Sequence, residues 1–434
     1  MLNRTHSGFT MTSAAVAATA VIAATPALAQ AGMNTTSLQH TVVLEDLDSP
    51  WDMAFLDDGT MFFTEKCTGL SVRLPDGKVN ALLGMGTDNT DVSGYDTVAE
   101  DLFCDGQAGM NGVAIDPAFD ENRRIYVYSA SGKTDPQTNR VMRFTVNEDF
   151  TALSDRTDII DDIPYKVEAT DHPFGGTGTH NGGRIRFGPQ DGYLYVTTGD
   201  NHNAEIPQSP TIMGSKVIRI DTDGNAAQEN NPPEGFDPRT FTYGHRNVQG
   251  IAFDPATGTP VIAEHGPWHS DEITVLANGG NGGWDPRDEM AGRGECPDGY
   301  CGYMPNQNEG MNRYERAAFM PMTDFDTYPE AMAPIWTNNG WSQGTAAIDF
   351  LEGEQWGSWD GAMVVGLMGI GFGGTPIGQR IDVIELDDDM SVLDVTEMTL
   401  PMESGRFRSL VLGPDGSLYA AVDEGTIHKL TPGN

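Results

Sequence analysis

Apolar and polar positions along the chain repeat one unit: a short apolar strand, a polar turn carrying Asp and Gly, then a strand rich in β-branched and aromatic residues. The unit reads MAFLDDGTMFFTEK at 53–66, GVAIDPAFDENRRIYVYS at 112–129, RIRFGPQDGYLYVTTGD at 184–200, GIAFDPATGTPVIAEHG at 250–266 and SLVLGPDGSLYAAVDEG at 409–425. A weaker copy, EGEQWGSWDGAMVVGLMG, occupies 352–369. Each copy predicts a two-stranded hairpin, because Gly and Asn tolerate the positive φ that a tight turn needs. The copies lie too far apart to be isolated hairpins and suit four-stranded blades with long insertions. Six copies predict an all-β fold, a six-bladed β-propeller over residues 38–432, with an array of β-sandwiches as the alternative. The insertions at 80–106, 201–213 and 285–335 are rich in Gly, Asp and Asn and predict loops gathered on one face, where functional groups collect.

Composition narrows the functional classes. Glycine makes up 52 of 434 residues, about 12%, against a usual ~7%, in keeping with many turns. Acidic residues outnumber basic ones 63 to 25, a net charge of −38. That excludes a polyanion-binding surface, which needs clustered Lys and Arg. The acidity is better read as solvation, as in a salty habitat, than as attraction to a partner. No run approaches the roughly 18–20 apolar residues of a membrane helix, so no membrane insertion is expected.

The first 29 residues have the form of a secretory leader: Arg4, an apolar stretch from Ala14 to Ala24, and Ala27-Leu28-Ala29 as a cleavage site. Cleavage after Ala29 would deliver the chain to the periplasm or the outside, where disulfides persist. Of the four cysteines, Cys296 and Cys301 flank a Pro-Asp-Gly-Tyr turn short enough to close, which leaves Cys67 to pair with Cys104. No C-x-x-C-H occurs, so covalent c-type haem is excluded by that signature.

Three constellations could carry chemistry. His180 precedes Gly182-Gly183 and a strand, and Asp200 ends the partner strand of that hairpin. A carboxylate that orients an imidazole makes a general base, although a loop histidine satisfied by backbone fits the spacing equally well. In TYGHRNVQG, Arg246 and Asn247 could donate to a developing oxyanion. His265 and His269 stand four apart, but Gly266-Pro267 breaks the helix that a zinc motif requires; exposed carbonyls and acidic oxygens there suit calcium better. Arg406 and Arg408, at i and i+2, share one face of a strand and form a carboxylate clamp. The segment DTDGN at 221–225 lacks the remaining ligands of a calcium loop and predicts a blade turn.

Taken together, SPWDMAFLDDG, DGQAGMNGVAIDPAF, HNGGRIRFGPQDGYLYVTTGD, SKVIRIDTDG, YGHRNVQGIAF, EHGPWHSDEI, GGNGGWDP and GRFRSLVLGPDG resemble, in order, the soluble quinoprotein sugar dehydrogenases of the glucose/sorbosone dehydrogenase family, which use pyrroloquinoline quinone (PQQ). The resemblance implies a six-bladed propeller that oxidises the C1 hydroxyl of aldose sugars to lactones with PQQ and Ca²⁺. An electron acceptor, a cytochrome or a quinone, would complete the cycle. It makes His180 the base and Asp200 its partner. Arg246 and Asn247 fall near the reactive quinone, Gln107 on the cofactor, and Arg406 and Arg408 on its carboxylates. Gly266 and Pro267 match positions whose carbonyls bind the calcium that bridges the cofactor; Glu272 and Gly282 match a second, structural calcium. Three departures stand out: Gly282 replaces a family tyrosine, His265 a glutamine, and Met368 a lysine near the PQQ carboxylates, for which Arg380 is a candidate substitute. A calcium-dependent lactonase and a noncatalytic carbohydrate- or protein-binding propeller are the competing readings.

Overall fold

The computed structural model describes residues 37–433 apart from 87–93, 96, 168–175, 287–311, 339 and 371–377. The leader segment and the Cys296–Cys301 pairing lie outside the described residues. Strands dominate, and they form six sheets among those residues, antiparallel apart from one added strand in the first. Blade 1 is built on Pro50–Phe55 and Met61–Glu65, blade 2 on Met110–Ile115 and Arg124–Ser131, and blade 3 on Ile185–Phe187 and Leu194–Thr197. Blade 4 is built on Val248–Phe253 and Pro260–Glu264, blade 5 on Thr345–Phe350 and Met363–Met368, and blade 6 on Phe407–Leu412 and Leu418–Val422. These first two strands of each blade are the hairpins that the repeat predicts. The weak copy differs in detail: a 3₁₀ turn at Glu354–Trp359 occupies its first half, and the strand expected there lies earlier, at Thr345–Phe350.

The first strand of each blade packs against the first strand of the next, and blade 6 returns to blade 1, so the sheets close into a propeller. The last blade borrows its fourth strand from the chain's beginning: Leu38–Leu44 pairs antiparallel with Thr426–Pro432. Apolar side chains fill the seams between blades. Phe62, Leu70 and Val113 pack between blades 1 and 2, Tyr126 and Val196 between 2 and 3, and Tyr195 and Ile251 between 3 and 4. Ile262's neighbour Ala263 meets Val365 between blades 4 and 5, Val364 meets Phe407 between 5 and 6, and Met53 meets Ile427 between 6 and 1. Two predicted loops are partly ordered elements. The 80–106 insertion contains most of the strand Val79–Met85, with Val98–Ala99 added in parallel beside it. The 285–335 insertion contains the helix Arg313–Phe319, and Met320 and Met322 behind that helix cover buried Trp284.

Polar groups tie the first strands together. The Arg184 guanidinium reaches Asp52, the Ser409 hydroxyl at 3.1 Å, the Gln249 carbonyl at 3.0 Å and the Arg408 carbonyl at 2.7 Å, joining blades 1, 3, 4 and 6. Arg186 adds two 2.7 Å bonds to the same Asp52 carboxylate. Burial alone would raise the Asp52 carboxyl, but the two guanidiniums outweigh it and hold the group below its usual range.

Candidate functional site

The loop before the first strand of blade 3 and the end of its second strand meet in close backbone contact. A Cβ on Gly199 would lie 2.0 Å from the His180 carbonyl oxygen, so this approach requires glycine. Gly182, at φ 62°, lets the His180 loop turn into the strand, and its amide donates to Asn247 Oδ1 at 3.1 Å. His180 Nδ1 thereby comes within 2.6 Å of Asp200 Oδ1. The Asp200 carboxylate also receives the Trp284 indole N–H on Oδ2 at 2.8 Å and the His202 amide on Oδ1 at 2.9 Å. A carboxylate held by three donors fixes the imidazole tautomer: Nδ1 carries the proton, and Nε2 is the nitrogen of a base. Burial, then electrostatic coupling to Arg246, His265 and Lys166, holds the His180 imidazole well below its ordinary pKa, so it is neutral at pH 7.

Arg246 lies against this pair. Its carbonyl accepts the Asp200 amide at 2.8 Å, and its guanidinium donates to the His265 carbonyl at 2.9 Å. Buried Glu264 anchors the turn through the amides of Arg246 and Asn247. The side-chain oxygen of Asn247 is engaged with Gly182, so this residue shapes the His180 loop. Gln107 accepts the His180 amide at 3.4 Å, which places the 105–108 segment beside the base. The Cys67–Cys104 disulfide, with Cα atoms 5.0 Å apart, clips that segment to blade 1.

Arg406 and Arg408 share a face as their spacing predicts, although Arg406 stands just before the strand Phe407–Leu412. Both bind Asp423, at 3.1 Å and 2.7 Å. Burial works against the Asp423 charge, but Arg408 and Arg406 outweigh it and hold the carboxyl below its usual range. Met368, in place of the lysine that the resemblance implies, turns its carbonyl to Arg406 at 2.9 Å and its sulfur to the same guanidinium at 3.8 Å. Arg380 does not replace that lysine at the clamp: its guanidinium is paired with Asp382 at 2.7 Å and with Gln343. Lys66 lies within electrostatic reach of Arg408 and Asp423. Its ammonium donates to the Gly106 carbonyl at 3.0 Å, and burial followed by the Arg408 charge lowers its pKa.

The segment 265–271 is a loop, as Gly266-Pro267 requires. A Cβ on Gly266 would lie 1.8 Å from the His269 carbonyl oxygen, so backbone lines this turn. The Gly266 carbonyl accepts the Trp268 amide at 3.0 Å. Glu272 pairs in register with Glu264 and takes the Thr323 hydroxyl at 2.9 Å; burial, then Glu264, holds its carboxyl well above the usual range. Gly282 packs beneath His245, where a Cβ would lie 2.8 Å from the ring. Among the described residues no group of three or more His, Cys, Asp or Glu side chains could hold a metal ion. The segment 221–225 is a turn closed by Asp221 on the Asp223 and Asn225 amides at 2.9 Å, as its composition predicts.

Sequence reasoning missed Trp284, His202, Lys66, Lys166 and Lys216. Lys166 is buried and faces Asp200, and its pKa falls to about 8 through burial. Lys216 is fully buried and gives its ammonium to the carbonyls of Ile206, Pro207 and Gly214 at 3.0–3.3 Å, tying the middle of the loop that follows Asp200 to its C-terminal end. A lysine inside an apolar strand, SKVIRI, was the available signal.

Comparison with known proteins places the chain in a family. The family described as Glucose / Sorbosone dehydrogenase matches residues 47–429. The aldose sugar dehydrogenase YliI of Escherichia coli (strain K12) is 26% identical over 399 residues, covering 90% of this chain and 92% of its own. Quinoprotein glucose dehydrogenase B of Acinetobacter calcoaceticus is 27% identical over 315 residues, covering 65% of this chain and 60% of its own. In fold, the chain is similar to the PQQ-bound form of an aldose sugar dehydrogenase from Streptomyces coelicolor, with a TM-score of 0.62 at 22% identity over 91% of this chain and 98% of that one. With a match spanning nearly the whole described propeller, and relatives aligned along most of their length, the chain belongs to the glucose/sorbosone dehydrogenase family.

Proposed function

We propose that this protein is a periplasmic or secreted, PQQ- and calcium-dependent dehydrogenase that oxidises the C1 hydroxyl of an aldose to the lactone. The observation that carries the reading is the 2.6 Å His180–Asp200 contact, in surroundings that keep the imidazole neutral. The donor set fits a tricarboxylate quinone: Arg406, Arg408 and Lys66 offer cations, and Gln107 an amide. The Gly266 turn, lined by backbone, suits calcium held through the carbonyls of Gly266 and Pro267, with Glu272 and Gly282 assigned to a second ion. PQQ, when bound, supplies the two-electron acceptor for the hydride of C1, and calcium supplies positive charge beside it.

The chain's own residues handle the proton and the geometry. His180 takes the proton of the C1 hydroxyl at Nε2, and Asp200 stabilises the imidazolium through Nδ1. Arg246, fixed by the His265 carbonyl, places positive charge where the substrate oxygen becomes negative. Asn247 holds the His180 loop through Gly182. An external acceptor, a cytochrome or a quinone, would be needed to take up the two electrons after each turnover.

The test is an absorption spectrum of purified protein with PQQ and Ca²⁺, before and after adding aldoses. Reduction of bound quinone by an aldose supports the reading. Absence of PQQ binding in both wild type and Met368→Lys would overturn it in favour of a noncatalytic binding propeller.

A further inference from the structure

The two residues after Asp200 are Asn201 and His202, both in left-handed backbone at φ 51° and 57°. Side chains rarely adopt that conformation, and it persists where the surrounding structure imposes it. Here it folds the chain back onto the base. Asn201 Nδ2 donates to the carbonyls of Thr179 and His180, each at 3.3 Å. The His202 amide binds the same Asp200 oxygen that holds His180 Nδ1. The His202 ring lies over the His180 ring with centroids 3.9 Å apart and planes 27° from parallel. Both rings are buried, at 8% and 6% exposure.

We propose that His202 is a positioning residue for the base, its stacked ring fixing the tilt of the His180 imidazole and keeping water off one face. The Asp200 hydrogen bond fixes only the Nδ1 edge of that ring. Without the stack, the plane would tilt about this edge and Nε2 would lose its aim. The rings share a cation-rich setting: Arg246 faces both from blade 4, Lys166 from the segment after blade 2, and His265 faces His180 from the end of the second strand of blade 4, with Asp200 the carboxylate between them. Burial, and then charge on His180, holds the His202 imidazole well below its ordinary pKa. Stacking and burial, rather than titration, are therefore its contribution, and phenylalanine should supply both.

This inference rests on the base assignment above, and the experiment separates the two. His202→Ala and His202→Phe are compared in PQQ-reconstituted protein by kcat and KM across pH. The ring of His180 is followed by NMR in histidine-labelled protein without sugar. Alanine should lower kcat by about tenfold or more with KM nearly unchanged, since a small misplacement of a reacting group is costly. It should also raise the His180 pKa by about one unit as water reaches the ring. Phenylalanine should restore kcat to within about threefold of wild type and keep the low pKa. Wild-type kcat and pKa in His202→Ala would overturn the proposal, as would a His202→Phe variant as impaired as alanine. If the NMR contrast holds but His180→Ala remains active, the positioning stands and the base assignment falls.

Discussion

Around His180, burial and then Arg246, with His265 and Lys166 adding to it, act in one direction, toward a neutral imidazole. The sign follows directly. A base works when unprotonated, and a folded pKa well below 6.5 keeps it so until the pH drops under that value. We expect the acid limb of kcat/KM against pH to lie below 6.5; a limb at or above 6.5 would mean that another group titrates. His180→Gln should lower dye-linked sugar oxidation by ~10²–10⁴-fold while PQQ still binds, read by parallel activity assays and spectroscopic titration. At the clamp, Lys66→Met should weaken PQQ binding by about ten- to a hundredfold, the scale of one charge-assisted contact. Met368→Lys should tighten it several-fold and offset the loss in the double variant. Titration with PQQ at fixed Ca²⁺ distinguishes these outcomes, and no change in Lys66→Met would remove that lysine from the site.

Between blades, the elements that carry the site are held by a few specific links. The Cys67–Cys104 disulfide spans 37 residues and fastens the Gln107 segment to blade 1. Closing a loop of this length typically stabilises by ~2–4 kcal/mol, chiefly by restricting the unfolded chain. Replacing both cysteines with serine should lower the denaturation midpoint accordingly, measured by chemical unfolding, and should weaken PQQ binding as the Gln107 segment loosens. An unchanged midpoint would show that the loop is held by other contacts, such as the Lys66 bond to Gly106. Lys216 does comparable work without a covalent bond, by joining the middle of the loop after Asp200 to its C-terminal end.

Across the whole molecule, the ring must close while carrying a net charge of −38. Much of the limited basic complement is used locally, as in Arg140, Arg156 and Lys133 around Asp158 on blade 2. The remaining like charge repels itself across the surface and is screened over roughly 10 Å at 0.1 M salt. The unfolding temperature should therefore rise between low and molar NaCl, measured by calorimetry. A fall would show that surface ion pairs outweigh the repulsion.

The hairpins were legible in the sequence because their causes are local: alternating apolar positions, turn residues and β-branched strands lie within some fifteen residues of one another. The His180–Asp200 pair was one of two readings that the spacing left open, since both residues flank one hairpin, and the Arg406–Arg408 face follows from a two-residue period. Tertiary structure decided the rest. Leu38–Leu44 joins Thr426–Pro432 from the far end of the chain, Arg184 finds Asp52 132 residues away, and Trp284 reaches Asp200 across 84. Such contacts leave no periodic trace, because closing the ring brings together side chains whose sequence neighbours say nothing about their partners. The stacking of His202 on His180 has a short sequence separation and was still hidden, since it depends on two residues held in left-handed backbone. Local pattern specified the blades; packing of one blade against the next made the site.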